Sequence, residues 1–400
     1  MNTRTLGELV VGAVVSTWAT CQSPAATWTE ITAPSSPAFA HHDMTYDSAR
    51  GRLVLAGRTS IMSSVFGMFA GAPDGTWTPL PVPSPALPGR QDVELAYDSH
   101  RDVVVLYTTS TNRVWEFNGT EWNVITAAHA PVQCADGASL QYDPVRRRTV
   151  LVGSAGFPGV TNPSETWLWD GTDWTLAAGP DQSPHGAAGG SMTFDAARGE
   201  MVLLTMGNME TWTFDGSRWS PRTPVTKPSP GLWVFDLAYD PVRRLAVFFC
   251  GETTSPPAAY PRETWAWDGT DWRKLEIPSA PPETIDYALA YFPERNALVL
   301  HGGWGSPDWD FRNQVWQLAI GDAPPAGIRF TDIRAHDGQV DLTTVGRIRE
   351  GAPQILQATT AAGSASVWVN LRTNAAPALT NAWTTPLDAP TRLYRLQELL

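Results

Sequence analysis

The fold is decided by one phrase of sequence, which is clearest at Tyr239-Asp240-Pro241-Val242-Arg243-Arg244-Leu245-Ala246-Val247-Phe248-Phe249. An aromatic residue and an aspartate come first, an arginine follows three positions after the aspartate, and an apolar run ends the phrase. It occurs six times, 45 to 52 residues apart, beginning at Tyr46, Tyr97, Tyr142, Phe194, Tyr239 and Tyr291, and only the sixth copy lacks the aspartate. A repeat of that period indicates a solenoid or a propeller.

Paired tryptophans follow the apolar runs. In four copies the second tryptophan comes seven residues after the first, across an Asn-Gly or Asp-Gly pair; these are Trp115 and Trp122, Trp167 and Trp174, Trp212 and Trp219, and Trp265 and Trp272. Such a dipeptide between alternating runs signals a hairpin, because both positions tolerate positive φ. Each copy therefore predicts four antiparallel strands, which we call a to d: a ends in the aromatic-Asp pair, b is the apolar run, and c and d carry the tryptophans. Four such strands make one propeller blade.

The count of strands predicts how the ring closes. The sixth copy stops at Trp316 and Gly321-Asp322 without a strand d, whereas an extra strand of the d type, Trp28-Thr29-Glu30-Ile31, precedes the first copy. We expect this N-terminal strand to complete the sixth blade, because such pairing leaves no open edge at the seam. The composition agrees with an all-β fold, since 33 Gly and 34 Pro accompany only 17% charged residues.

The repeat resembles Kelch and galactose-oxidase-type β-propellers. The tryptophans on either side of a tight turn carry the resemblance, which covers residues 27 to 322. The Gly-Gly pair that ends strand b in this family is present at Gly302-Gly303, with single glycines at Gly57, Gly153 and Gly251. The resemblance implies a six-bladed ring and a rigid scaffold for a binding or catalytic site.

Segments on either side of the repeat predict two further parts. Residues 1 to 26 combine Arg4, an apolar run and small residues, as a secretory signal peptide does, so we expect a secreted, periplasmic or cell-surface protein. An unusual cytosolic N-terminus is the alternative, and Cys21 follows a poor lipobox. Residues 323 to 400 alternate apolar and polar positions and predict a small β-sandwich-like domain, for surface display or for packing on the propeller.

Charge and metal-ligand spacing exclude several classes of partner. A net charge of −12 and a pI near 5.0 argue against nucleic acid, which needs a basic surface. The cysteines Cys21, Cys134 and Cys250 form no disulfide framework or metal motif, although a bridge between the last two is an alternative to free thiols. The seven histidines also lack metal spacing. We therefore expect no metal, no cofactor, no membrane span and a monomer.

Two motifs invite a functional interpretation. The Asp-x-x-Arg pairs recur at one phase, so we interpret them as turn structure and not as catalytic groups. Thirteen tryptophans and their equivalents share the repeat's phase and predict blade packing. Trp304 and Trp309 do not; they lie on a loop between strands b and c of blade six and are either ligand contacts or a cap on the ring. The candidate ligand-binding residues are Trp304, Trp309, Asp308, Asp310, Arg312 and Trp233.

Strand order predicts the functional face. The tight a–b and c–d turns share one end of the ring, so the longer b–c loops and the d–a connections share the other. We expect a binding protein that presents the loops 154–165, 252–262 and 304–312 to a glycan or a protein. The alternative is a carbohydrate-active hydrolase or lyase with acidic groups in the central channel, and a third possibility is a structural spacer. No catalytic residue is identified from the sequence.

Overall fold

The structure, a computed structural model, confirms an all-β, six-bladed propeller: six four-stranded antiparallel sheets follow one another along the chain. It describes residues 26–58, 66–84, 93–108, 113–131, 138–154, 164–184, 189–249, 251–253, 260–305 and 310–321, and the six strands of the C-terminal segment. The signal-peptide prediction for residues 1 to 26 falls almost wholly outside these residues, as do all three cysteines. Within the described residues no helix has the length and hydropathy needed to cross a membrane.

The strands of the propeller follow the order predicted from the repeat. In blades one to three they are β2 (Ala40–Asp47), β3 (Arg52–Arg58), β4 (Phe66–Gly71), β5 (Trp77–Pro79), β6 (Val93–Asp98), β7 (Val103–Thr108), β8 (Arg113–Phe117), β9 (Trp122–Thr126), β10 (Ser139–Asp143), β11 (Arg148–Ser154), β12 (Ser164–Trp169) and β13 (Trp174–Ala178).

Blades four to six continue the same pattern. Their strands, with a two-stranded addition formed by β18 and β21, are β14 (Gly190–Asp195), β15 (Glu200–Thr205), β16 (Thr211–Phe214), β17 (Trp219–Arg222), β18 (Leu232–Trp233), β19 (Leu237–Asp240), β20 (Leu245–Phe249), β21 (Glu252–Thr253), β22 (Thr264–Trp267), β23 (Trp272–Leu275), β24 (Ala288–Phe292), β25 (Ala297–His301) and β26 (Val315–Ile320). A short 3-10 helix, Pro293–Arg295, joins β24 to β25.

The hydrophobic core lies between neighbouring blades. One buried cluster joins strands of blades one and two and contains Val54, Leu106 and Trp115. Another joins blades six and one through Leu55 and Val299. Because each blade buries its faces only against its neighbours, the ring depends on every blade being present.

The Asp-x-x-Arg pairs are structural, as the sequence predicted, and they also connect blades. Asp143 accepts the backbone N–H of Arg146, and its other oxygen pairs with the Arg146 guanidinium at 2.8 Å. That guanidinium then covers Gly216 in the c–d turn of the next blade, where a Cβ atom would come closer than real Cβ atoms do. The same contact recurs between Arg50 and Gly119, Arg101 and Gly171, and Arg198 and Gly269.

The strand β1 (Ala26–Glu30) pairs antiparallel with β26, so that Ala26 lies opposite Ile320 and Glu30 opposite Trp316. Trp28 is buried, and its Nε1 donates to the Thr264 hydroxyl of blade five at 2.9 Å. Trp219 and Trp272, the strand-d tryptophans of blades four and five, make the same bond to a threonine in the preceding blade.

The C-terminal segment forms a second compact unit that begins at Asp322. Its described strands are β27 (Arg329–His336), β28 (Gln339–Val345), β29 (Gln354–Thr359), β30 (Val369–Asn374), β31 (Thr380–Pro386) and β32 (Leu393–Glu398). They make two three-stranded antiparallel sheets, in the orders β27-β28-β31 and β30-β29-β32.

Candidate functional site

A cavity of about 400 Å³ lies in the channel of the ring, and every blade contributes to its wall. Most of the contributing residues lie at or just before the beginnings of the six strands a, because these strands are innermost in a propeller, and Met206, Trp233, Glu252 and Trp304 complete the wall. A cavity of this size fits a small molecule, whose sites in proteins commonly span 300 to 1,000 Å³ (rough range).

One position of the repeat faces this cavity in five of the six blades. It lies three residues before the aromatic residue of strand a and holds Asp43, Glu94, Ser139, Ser191, Asp236 and, outside the cavity wall, Ala288. We call it the inner position. In four blades its side chain accepts the N–H of the next strand a; the donors are Leu95 to Asp43, Met192 to Ser139, Leu237 to Ser191 and Leu289 to Asp236, at 2.6 to 3.0 Å.

The two aspartates at the inner position have perturbed acidities. Burial raises the pKa of Asp43 well above its ordinary value, and the charge of Asp236 raises it further. Burial also raises the pKa of Asp236, to about 6, against hydrogen bonds from the Leu289 N–H and the Ser191 hydroxyl that lower it. Two carboxyl groups from blades one and five thus interact in one cavity. Serine makes the same inter-blade bond in blades three and four at no such electrostatic cost.

Two residues before the inner position, the backbone is left-handed in blades one, four, five and six. His41, Gly189, Val234 and Asp286 occupy this outer position with φ of 51°, 90°, 55° and 52°. Positive φ is a genuine outlier for a β-branched residue such as Val234, and it costs about 1–3 kcal/mol. Because strands rise about 3.3 Å per residue, the outer position lies nearer the d–a face than the inner one.

At the outer position, blades one and six are joined by polar contacts. The carboxylate of Asp286 lies 3.3 Å from Nδ1 of His41 and accepts a hydrogen bond from Nε1 of Trp304. The backbone of Trp304 also bridges to Ile285 and to Phe311. Trp304 is therefore anchored on two sides, and its half-buried ring forms part of the cavity wall.

Blade five supplies the other tryptophan of the wall. Trp233 lies in β18 and pairs with Glu252 of β21, which follows strand b of the same blade. This pairing and the Trp304 bridges bring d–a connections and b–c loops together at one end of the ring. Trp233 is half-buried, and its Nε1 has no hydrogen-bond partner among the described residues.

A buried histidine pair extends from the cavity wall into the ring. Nε2 of His42 lies 3.1 Å from the carbonyl oxygen of His301 and 3.2 Å from its Nδ1. Burial, with repulsion from His301, lowers the pKa of His42 well below its ordinary value, and burial lowers the pKa of His301 to about 3, so both rings are neutral. A carbonyl can only accept, which assigns the proton of His42 to Nε2 and leaves Nδ1 as an acceptor.

The residues predicted for the site divide into three groups. Trp304 and Trp233 both line the cavity. Arg312 is half-buried and its backbone bridges to Phe39, while Asp310 is exposed, and neither lines the cavity. Asp308 and Trp309 lie outside the described residues, as do 155–163 and 254–259, which are most of the other two predicted loops.

The carboxyl groups of the cavity were not identified from the sequence, apart from Glu252, which begins the predicted loop 252–262. Five carboxylates line it, from Asp43, Glu94, Asp236, Glu252 and Asp286, and no Lys or Arg is among its described lining residues. No metal-ligating group of three acidic, histidine or cysteine side chains exists in the described part of the chain. Counting back from the repeated aromatic residue would have located the inner position, although its residue type changes from blade to blade.

No protein-family model matches the chain, and no curated protein sequence does. Solved structures do resemble it: that of YjhT has 16% identity and a TM-score of 0.52 over 77% of this chain and 99% of YjhT. A Dyadobacter fermentans protein of unknown function has 11% identity and a TM-score of 0.51 over 73% and 98% of the two chains. XC5397 from Xanthomonas campestris, a gluconolactonase, has 11% identity and a TM-score of 0.48 over 76% of this chain and 93% of XC5397. At these identities the likeness extends to the fold alone.

Proposed function

We propose that this chain is a secreted or envelope-associated, non-catalytic binding protein that takes the end of a glycan into the cavity of its propeller channel. One observation carries the proposal: Trp233 and Trp304 stand in the wall of the same cavity as five carboxylates. Indole rings offer flat apolar faces to a sugar ring, and carboxylates accept hydrogen bonds from its hydroxyl groups.

The side chains that line the cavity are held in place, which supports a binding function. The inner position is fixed by hydrogen bonds between strands a, and Trp304 is held by Asp286 and by its backbone bridges. A site whose side chains are already ordered loses little conformational entropy on binding.

A glycan array probed with the mature chain, followed by calorimetry on the best binder, tests this proposal. We expect Trp233→Ala and Trp304→Ala each to weaken binding at least tenfold, because each removes a stacking surface. Trp212→Ala is the matched control, since Trp212 is also half-buried but lies in blade four away from the cavity. Equal binding by all three variants would place the ligand elsewhere and refute the cavity as the site.

A carbohydrate-active hydrolase is the second candidate, favoured by the coupled carboxyl groups of Asp43 and Asp236. Hydrolysis of a glycosidic bond uses one protonated and one ionised carboxyl group, and neighbouring carboxyls with separated pKa values supply that state. Incubating the glycan that binds with the protein, and following its cleavage by mass spectrometry, separates the two functions. Cleavage that is lost in Asp236→Ser would establish the enzyme, whereas an intact glycan after prolonged incubation would leave the binding protein.

We also infer that β1 closes the ring as strand d of blade six. The register of β1 with β26 and the bond from Trp28 to Thr264 support this role, because Trp219 and Trp272 make the corresponding bond in complete blades. The tryptophan-flanked turns and Gly302-Gly303 support a Kelch-type relationship for the repeat. The two three-stranded C-terminal sheets are compatible with the expected β-sandwich. We assign this unit a role in surface display.

A further inference from the structure

The polar lining of the cavity consists mainly of hydrogen-bond acceptors. Five carboxyl groups belong to the described lining, against no Lys or Arg, and a carboxyl group that is ionised can only accept hydrogen bonds. An anionic ligand would meet acidic groups and no described Lys or Arg in the wall of this cavity. A ligand group rich in donors and carrying positive charge would meet its complement.

The aspartates at the inner position are more than inter-blade links. Ser139 and Ser191 accept the N–H of the next strand at 3.0 and 2.8 Å, so a hydroxyl group suffices for that bond. Asp43 and Asp236 make the same bond yet place two mutually repelling carboxyl groups in one cavity. A cation between them would relieve the repulsion and occupy their remaining lone pairs.

His42 is a further polar residue of the cavity wall. It is only 8% exposed and lines the cavity, and its Nδ1 has no partner among the described residues. Nε2 carries the proton of the neutral ring, so Nδ1 is a buried acceptor without a donor. The ring is neutral because its pKa is lowered by burial, so it adds no positive charge to the wall that would repel a cation.

The aromatic part of the wall suits the same ligand. Trp233, Trp304 and Tyr287 line the cavity together with the carboxylates. Aromatic faces attract organic cations, and carboxylates set among them are the usual complement of an ammonium group.

We propose that the cavity holds the protonated amine of a small ligand among the carboxylates of Asp43, Asp236 and Asp286, with the body of the ligand against Trp233 and Trp304. This assignment rests on the cavity being the binding site, as proposed above, and adds the chemistry of the group bound. If the ligand is a glycan, its terminal sugar is an amino sugar with a free amine. A non-sugar amine is the other source of the same chemistry.

Ligand titrations at pH 7 that compare glucosamine, N-acetylglucosamine, glucose, cyclohexylamine and cyclohexanol test the assignment. We expect glucosamine to bind at least tenfold more tightly than glucose or N-acetylglucosamine, which lack the cationic amine. Binding of cyclohexylamine, without any of the sugars, would support the amine and refute the glycan. Equal binding of glucose and glucosamine would overturn the assignment of an amine but would leave the cavity as a glycan site. Absence of binding by both glucosamine and cyclohexylamine would also overturn the assignment of an amine.

Serine variants distinguish the loss of a carboxyl group from the loss of the fold. Asp236→Ser and Asp43→Ser copy the residue that makes the same link in blades three and four, so we expect both to fold, with glucosamine or cyclohexylamine bound at least tenfold more weakly. Glu200→Gln is the control, because Glu200 pairs with Arg222 away from the cavity. Unchanged amine binding in both folded serine variants would overturn the assignment.

Discussion

At the scale of single residues, the c–d turns combine two demands that only glycine meets. Gly216 has a φ of 92° and lies under the Arg146 side chain, which Asp143 holds in place. A side chain at this position would be strained by the backbone and would displace the guanidinium. The Asp-x-x-Arg pair and the Asp-Gly turn of the next blade are therefore parts of one contact.

We expect Gly216→Ala to lower the free energy of unfolding by roughly 1–3 kcal/mol, from the positive φ alone and more if Arg146 is displaced. Gly179→Ala is the control, because a Cβ there would meet nothing within 4 Å. Urea unfolding of the two variants measures the difference. A Gly216→Ala protein as stable as the control would show that Arg146 does not depend on this glycine.

The acidity of Asp236 predicts a pH dependence of stability. Its pKa is about 6 in the folded chain and lower in the unfolded chain, so its ionisation costs stability as the pH rises from about 4 to about 6. His42 and His301 act oppositely, since burial lowers their pKa values and stability falls as they become protonated in acid.

The difference in the free energy of unfolding between Asp236→Ser and the parent protein measures the contribution of the Asp236 carboxyl group. We expect the variant to gain stability relative to the parent as the pH rises from 4 to 7, because it no longer carries the cost of the buried charge. Denaturant midpoints of both proteins at several pH values measure this. A difference that is constant with pH would contradict the raised pKa of Asp236.

At the scale of strands, β1 pairs with β26, and this pairing is the basis of the proposed closure of the ring. Trp28 packs its ring 5.5 Å from that of Phe249 and donates to Thr264. The pairing joins segments almost 300 residues apart in the chain, so its loop-closure entropy is large and side-chain packing must offset it.

Trp28→Ala is expected to lower the free energy of unfolding by about 3–5 kcal/mol, the usual cost of emptying a buried aromatic site. Trp272→Ala is the matched comparison, because Trp272 donates to Thr211 in the same way inside a continuous blade. Trp28→Phe keeps most of the apolar contact and should lose about 1 kcal/mol for the missing hydrogen bond. Unfolding curves for Trp28→Ala that match those of the parent would refute closure by β1.

The strands were predictable because their signals are local. Strand a ends at Asp240 and β22 carries Trp265, as the repeat phrase and the Asp-Gly turn predicted. The cavity was not predictable, because the residue type at the inner position differs between blades, as at Asp43 and Ser139, and so is not part of the repeated sequence pattern. The contact between Arg146 and Gly216 joins different copies of the repeat, and spacing within one copy does not indicate it. Trp304 and Trp233 could be selected from the sequence because both stand outside the phase of the packing tryptophans. Both of them line the cavity.

At the scale of the molecule, the chain forms two compact units, and the cavity belongs to the first of them. The cavity and all its described lining residues belong to the unit that ends at Gly321. We expect a chain that stops at residue 321 to keep the same ligand affinity and the same unfolding midpoint as the full chain. Calorimetry and thermal unfolding of the two chains check this. Weaker binding by the shorter chain would assign the C-terminal unit a part in recognition.

The register of β1 with β26 also determines how the ring would respond to force. Ala26 lies opposite Ile320, so the chain enters and leaves the ring at adjacent points on one end of the paired strands. Tension applied through the two flanking segments would load the hydrogen bonds of this pair one after another and not all at once. With β1 as the proposed closing strand, we expect this seam to be the mechanically weak point, so that pulling would unzip β1 before any blade comes apart.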